Sequence, residues 1–192
     1  SDLTLKGGAL KVGQLLSTVD ALFPADPEGS WQHALRALQE DNPGLPFEEV
    51  RPVLEAELGP RWSDRLGDLD ERPAAAASLG QVHRGTWADG TPVAVKVQYP
   101  GVAEAVSADV RALALALRAT SVVARGLAMP PLVAELRTRL GEELDYVLEG
   151  EHQQRFAAHY GQDDPEIVVP PVLLATRRVL VTRWLDGTPL AV

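Results

Sequence analysis

The chain has 192 residues, of which 45% are hydrophobic and 23% are charged, and its formal net charge at pH 7 is −9. An acidic chain of this kind is not expected to have nucleic acid as a partner, because a surface that binds phosphates needs a basic field. The chain contains no cysteine, which excludes disulfides and thiolate metal sites, and its four histidines do not have the spacing of metal ligands.

The first part of the chain is predicted to be helical. Apolar residues recur at helical spacing over 9–22, 30–41 and 47–58. The third of these helices is expected to begin after Pro46 with early acidic residues, which helix starts favour. All three helices should bury one face against a neighbour.

A hairpin follows these helices. The segments QVHRGTW and TPVAVKVQY flank Ala88-Asp89-Gly90, and an Asp-Gly pair between strand-forming runs favours a tight turn with positive φ. The alternation of a strand assigns one face of the second segment to the core, namely Val93, Val95 and Val97. The opposite face carries Ala94, Lys96 and Gln98.

Two long helices and two further strand regions complete the pattern. Helical spacing predicts helices over 102–127 and 131–160, separated by the residues MPP. Strands are predicted in IVVPPVLL (167–174) and RRVLVTRWL (177–185). Together these elements predict an α+β fold with a small antiparallel sheet. The longest apolar runs are too short to span a membrane, and SDLTLKGG does not have the apolar stretch of a secretory signal, so we expect a cytoplasmic location.

The residues before the hairpin align with a nucleotide-binding loop that has lost two glycines. If Val82 closes a G-x-G-x-x-G-x-V loop, the three glycine positions fall on Ala75, Ala77 and Gly80. Alanine restricts the backbone and adds a methyl group where a phosphate would lie, so a nucleotide would be held in an altered pose. The alternative is a structural segment of small residues that starts a helix against the sheet.

Lys96 lies in V-A-V-K, the pattern of the strand lysine that contacts the α- and β-phosphates in kinases. Such a lysine needs a carboxylate partner, because an unpaired buried ammonium is costly. The segment EELDYVLEG supplies Glu143, Asp145 and Glu149, with the last two expected at i and i+4 on one helical face. The alternative for this segment is an acidic face that only contacts solvent.

These motifs together resemble the UbiB/ADCK family of atypical protein-kinase-like proteins, over nearly the whole chain. LKGGALKVGQLLS resembles the family's KxGQ motif, and Lys11 is one of only three lysines, the others being Lys6 and Lys96. The family's alanine-rich loop and ExD motif also have counterparts. The matching residues are Lys11, Gly13 and Gln14 for KxGQ, Ala75, Ala76, Ala77 and Ser78 for the loop, and Glu143 and Asp145 for ExD.

The resemblance implies a kinase-like N-lobe over 69–192 behind a helical KxGQ extension over 1–68. It also implies that 102–127 is an inserted helix and that 131–160 is the helix carrying ExD and the lysine's partner. No H-x-D…N or D-F-G motif is found, so the chain is expected to end at the hinge, to lack the C-lobe, and to be inactive alone.

The resemblance also assigns roles to single residues. Lys96 would contact nucleotide phosphates and pair with Glu149, and Lys11 and Gln14 would project towards the ExD acids to restrain ordinary kinase activity. The remaining residues would surround the nucleotide: the alanine loop and Ser78 at the phosphates, Val82 and Ala94 against the adenine, Thr182 as gatekeeper, and the backbone of Arg183 and Leu185 at the hinge. Gly150, where the family has alanine, is expected to weaken its helix by about 0.5–1 kcal/mol.

The implied cofactors are ATP or ADP and Mg²⁺, with the metal ligands mainly in the missing C-lobe. The implied partners are proteins of quinone or prenyl-lipid biosynthesis, with peripheral membrane association of the full-length protein. Two classes of function stay open: an atypical kinase or ATPase when full-length, and a non-catalytic, pseudokinase-like scaffold that binds protein or lipid.

Overall fold

A computed structural model of the chain describes residues 44–77, 79–121, 129–160 and 167–187. The predicted helices over 9–22 and 30–41, and the KxGQ motif, lie outside these residues. In the described part of the chain, four α-helices accompany one antiparallel sheet, and the predicted α+β fold class is confirmed. The helices are α1 (Phe47–Leu58), α2 (Val102–Ser121), α3 (Met129–Glu143) and α4 (Tyr146–Tyr160), with a short 3-10 helix at Trp62–Asp64.

The sheet has six strands, and strand β4 lies at its centre. The strand order is β1-β3-β4-β6-β5, and β2 also pairs with β3. The strands are β1 (Leu66–Gly67), β2 (Ala75–Ala76), β3 (Gly80–Trp87), β4 (Pro92–Gln98), β5 (Val172–Ala175) and β6 (Val179–Arg183).

The hairpin of β3 and β4 has the predicted position and turn. Gly90 has φ +86°, and its N–H donates to the carbonyl of Trp87 at 2.8 Å. The N–H of Trp87 in turn donates to the carbonyl of Thr91 at 2.8 Å, which closes the turn. Glycine supplies the positive φ that this turn requires at little steric cost.

The two faces of β4 differ as the strand alternation predicts. Val93, Val95 and Val97 are fully buried and pack against α1, whose acidic first turn and preceding Pro46 also agree with the prediction. The buried side chains that complete this cluster are Phe47, Val50, Val53, Leu54, Leu66, Val179 and Val181. A second cluster lies between α2 and α3, which pack on each other through Val102, Val106, Val110, Val133 and Leu140.

Three predicted elements differ from the structure by more than one residue. The helix predicted over 131–160 is two helices, α3 and α4, and the break between them is described with the site below. The strand predicted over 167–174 is wrong before Val172, because Pro170 and Pro171 have no N–H to pair with a neighbouring strand. Likewise, β6 ends at Arg183, and Trp184 and Leu185 follow it without strand structure.

Helix α4 packs closely on the sheet at Gly150. A Cβ at this position would lie 3.0 Å from the Cβ of Ala175 and 3.3 Å from Leu180. Gly150 therefore has a packing function, because alanine at this position would force the helix and the sheet to move apart. The loss of helix stability expected for a glycine is the cost of this close approach.

Gly150→Ala is predicted to lower the free energy of unfolding although alanine favours helices, because the added methyl group meets a strand that cannot easily move. Gly141→Ala is the matched control, since a Cβ on Gly141 in α3 would meet nothing within 4 Å. The control should raise the free energy of unfolding by about 0.5–1 kcal/mol. Equal stabilisation of both variants in urea denaturation would contradict the packing argument.

A buried polar network joins β3 to the segment before α1. The side chain of Gln81 accepts from the N–H of Leu45 at 2.7 Å and donates to its carbonyl at 3.1 Å. The same amide nitrogen lies 2.9 Å from Nε2 of His83, and Nδ1 of His83 lies 2.7 Å from the carbonyl of Asp70. The Leu45 backbone sets the orientation of the amide, so His83 is best satisfied as the neutral tautomer that accepts at Nε2 and donates from Nδ1.

We predict that stability falls as the pH drops below about 6.5, the ordinary pKa of histidine. Burial lowers the pKa of His83, although its contact with Asp70 acts in the opposite direction. The unfolded chain therefore binds a proton at a higher pH than the folded protein does, and the free energy of unfolding decreases as the pH falls through this window. His83→Gln should reduce that dependence between pH 7 and pH 5.5.

The measurement is urea denaturation as a function of pH. His152→Gln is the control, because His152 is exposed on α4. A pH dependence that is the same for the wild type and His83→Gln would show that the neutral histidine is not the source.

Candidate functional site

Lys96 lies on the central strand, on the face away from the valine core. Its cross-strand neighbours are Val82 on β3 and Leu180 on β6. Ala94 lies two residues earlier on the same face and is opposite Thr182. The side chains of Val82, Ala94, Lys96 and Thr182 are all half-buried, so the structure brings these four predicted site residues together on one surface.

The predicted ion pair between Lys96 and Glu149 is confirmed. Nζ of Lys96 lies 2.7 Å from both carboxylate oxygens of Glu149. The two side chains keep 27% and 39% of their surface exposed. The pair is therefore formed on a surface where both side chains are only partly buried.

Tyr146 lies directly beside this pair and was not identified from the sequence. Nζ of Lys96 is 4.5 Å from the centroid of the Tyr146 ring, within the range of a cation–π contact. The tyrosine is only 1% exposed. Burial, together with the negative charge of Glu149, raises the pKa of Tyr146 far above its usual value, so the ring stays neutral. The sequence did contain one indication of this contact: Tyr146 lies three residues before Glu149, and this spacing places both residues on one helical face.

The break between α3 and α4 corrects the prediction for Asp145. Asp145 is not on a continuous helical face with Glu149, because it lies in the break and caps α4. Its Oδ1 accepts from the N–H of Val147 at 3.0 Å and of Leu148 at 3.4 Å, which are unpaired donors at a helix start. Glu143 is exposed at the end of α3.

Gln98 explains why the helix breaks at this point. Its side-chain nitrogen donates to the carbonyl of Leu144 at 2.7 Å and to that of Arg177 at 3.3 Å. The N–H of Tyr146 also donates to the carbonyl of Arg177, at 3.2 Å. These bonds tie the break to β4 and to the turn between β5 and β6, and they set where α4 begins.

The alanine segment forms a short strand and a turn. Ala75 and Ala76 are β2 and pair with Val82 and Gln81 of β3. The N–H of Ala77 donates to the carbonyl of Gly80 at 2.8 Å, and Ser78 lies outside the described residues.

The glycine that remains in this segment has an evident steric role. A Cβ on Gly80 would lie 2.2 Å from the carbonyl oxygen of Val97, so no larger residue fits where β3 approaches β4. Gly80 is therefore required by the close pairing of these strands.

The predicted hinge lies at the end of β6. Thr182 faces Ala94, and the N–H of Arg183 donates to the carbonyl of Pro171 at 2.9 Å. Leu185 is exposed. Trp184 lies between these residues, and its indole stacks 5.1 Å from the guanidinium carbon of Arg84 on β3.

The remaining predicted site residues are those of the KxGQ motif. Lys11 and Gln14 lie outside the described residues. The described residues contain no group of three His, Asp or Glu side chains arranged to hold a metal ion. None of the described helices combines the length and apolar character that a membrane crossing requires.

Comparisons with known proteins agree with this arrangement. A family model described as the ABC1 atypical kinase-like domain matches residues 37–192. The mitochondrial atypical kinases COQ8B of Rattus norvegicus and Danio rerio are 40% and 37% identical to the chain, each over 97% of it. The chain spans 35% and 30% of the length of these relatives.

A solved structure is also similar. It is the complex of Rv3197 from Mycobacterium tuberculosis with erythromycin, which is 39% identical in sequence and has a TM-score of 0.70. The match covers 97% of this chain and 46% of the other. At this identity and score, the likeness extends to the described sheet and helices as a whole.

Asp145→Ala is predicted to lower the free energy of unfolding by about 1 kcal/mol, because two N–H groups at the start of α4 lose their acceptor. Asp145→Asn should retain most of this stability, since asparagine also caps helices well. Thermal unfolding of the two variants checks the prediction. If Ala and Asn lower the melting temperature equally, the carboxylate has a role other than capping.

Proposed function

The chain belongs to the ABC1 atypical kinase-like family, and we propose that it is the nucleotide-binding N-terminal part of an atypical kinase or ATPase. The observation that carries this proposal is the Lys96–Glu149 pair on the central strand of a kinase-like N-lobe. Kinases use such a pair to hold the lysine towards the α- and β-phosphates. A role in stability alone would not require a Lys96 side chain that remains partly exposed.

The residues around the pair fit a nucleotide. Ala94 has a small side chain and lies next to Lys96 on the strand face, and the cross-strand neighbours of these two residues are Thr182 and Val82. Lys96 would hold the phosphates, and Val82 and Ala94 would contact the adenine. The backbone of Arg183 and Leu185 would contact the edge of the base, and the alanine segment would lie near the phosphates.

Bound ATP would supply the transferable phosphoryl group, and Mg²⁺ would offset the charge of the phosphates. We propose, from the family resemblance, that the ligands of this metal lie mainly in a C-lobe outside this chain. The chain spans about a third of its curated relatives, and we therefore expect it to be inactive without that lobe.

The cellular role proposed here follows the family resemblance. We propose that the full-length protein acts in quinone or prenyl-lipid biosynthesis with proteins of that pathway, and that it associates peripherally with a membrane. The two relatives named above are mitochondrial by name, and the cytoplasmic location expected from the sequence stays a prediction. Contact of Lys11 and Gln14 with Glu143 and Asp145 also stays a proposal.

Lys96→Ala is predicted to weaken binding of ATP or ADP to the full-length protein by at least about tenfold, the loss expected for a charge-assisted hydrogen bond of about 1.4 kcal/mol or more. Titration calorimetry with Mg²⁺ present measures this effect. Arg51→Ala is a control that also removes one cation, because Arg51 forms an exposed pair with Glu55 on α1, the helix that packs on the valine face of β4.

The calorimetry also separates the two classes of function. Equal nucleotide affinity of the wild type and Lys96→Ala, or no binding to either, would argue against the nucleotide site. If cellular function also survived Lys96→Ala, the non-catalytic scaffold would be the better description.

A further inference from the structure

We propose that Tyr146 is a positioning residue that holds the ammonium of Lys96 for the nucleotide phosphates. This inference rests on the proposed function in one respect, namely that Lys96 binds a nucleotide. The ring and the carboxylate of Glu149 contact the same ammonium from one turn of α4. Lys96 is therefore held by two different interactions from a single helix.

The position of the ring is fixed by the structure around it. Tyr146 is the first residue of α4, and its N–H donates to the carbonyl of Arg177 at 3.2 Å. Asp145 caps the same turn, and the side chain of Tyr146 is buried. A buried ring on a capped and anchored turn has little freedom to move away from the ammonium.

The ring and the carboxylate act differently on the ammonium. An ammonium has three N–H donors. Both oxygens of Glu149 lie 2.7 Å from Nζ, and a single carboxylate on one side of the nitrogen does not use all three donors. The face of an aromatic ring attracts positive charge through its quadrupole and is a much weaker acceptor than an oxygen. A second carboxylate in place of the ring would compete for the remaining donors, whereas the ring leaves a donor for a phosphate oxygen.

The hydroxyl group of Tyr146 does not account for the position of this residue. It is buried and has no hydrogen-bond partner within the described residues. An unpaired buried hydroxyl is unfavourable, so the contact that the structure does provide is the one made by the ring face. Phenylalanine should therefore replace tyrosine here, and leucine should not.

The first test observes Lys96 directly, without nucleotide. The chain has three lysines, Lys6, Lys11 and Lys96, so ¹³C-lysine labelling of the chain gives few ε-methylene signals. We expect the Lys96 signal, assigned with Lys96→Arg, to be shifted upfield by the ring current of Tyr146. The shift should persist in Tyr146→Phe and disappear in Tyr146→Leu.

Once the Lys96 signal is assigned, its position in the wild type can contradict the proposal without any Tyr146 variant. If the wild-type Lys96 signal has the shift of an exposed lysine, the ring does not contact the ammonium and the proposal is wrong. The proposal is equally wrong if Tyr146→Leu folds, by its circular dichroism, and retains the upfield shift.

The second test measures nucleotide affinity of the full-length protein. Tyr146→Leu should weaken ATP binding by roughly three- to thirtyfold, the range for loss of a partly desolvated cation–π contact. Tyr146→Phe should bind ATP about as well as the wild type. Tyr160→Leu, at the far end of α4, is the control. If leucine and phenylalanine weaken binding equally, the hydroxyl is responsible and the proposal fails. If the wild type binds no nucleotide, the proposed function fails, and the NMR comparison still decides whether the ring holds the ammonium.

Discussion

The alternation of strand β4 is the constraint on which the rest of the structure depends. One face carries three valines into the core, and the other presents Ala94, Lys96 and Gln98. A shift of one residue in the pairing of this strand would move Lys96 into the apolar core. Gly80 helps to prevent such a shift. A shift would bring a residue with a side chain to the position of Gly80, where β3 approaches the carbonyl of Val97 too closely for any side chain.

The second face of β4 also determines where α4 begins. Gln98 lies on the same face as Lys96, and it bonds to the carbonyl of Leu144 where α3 ends. The break lets Asp145 cap a new helix, whose first turn carries Tyr146 and Glu149 towards Lys96. The three residues of this face thus contribute differently: Ala94 has only a methyl group, Lys96 supplies the charge, and Gln98 anchors the helix that holds the charge.

The features that could be predicted from the sequence are those that depend on neighbouring residues. Strand periodicity and the Asp-Gly turn are local, and they gave the hairpin and its buried face correctly. The break at Leu144 could not be predicted, because it depends on a bond from Gln98, which is 46 residues away. Tyr146 was missed for a related reason: in an acidic segment only the carboxylates suggested partners for a lysine, and the ring contact needs the tertiary fold.

A second ion pair, between Arg178 and Glu57, is more buried on its acidic side than the Lys96–Glu149 pair. Arg178 bonds to Glu57 at 2.8 Å, and the glutamate is only 15% exposed. Burial acts to raise the pKa of Glu57, but hydrogen bonds from Arg178 and Thr176 outweigh it, and the net pKa is lowered. That pair therefore stabilises the contact of α1 with the β5–β6 turn at neutral pH.

The Lys96–Glu149 pair is more open, and solvent screening limits its contribution to stability to about 0–1 kcal/mol. A buried aromatic ring beside this ion pair adds attraction, while the Lys96 side chain stays partly exposed. This combination suits a lysine that must stay in place before a ligand arrives and still have a donor for it.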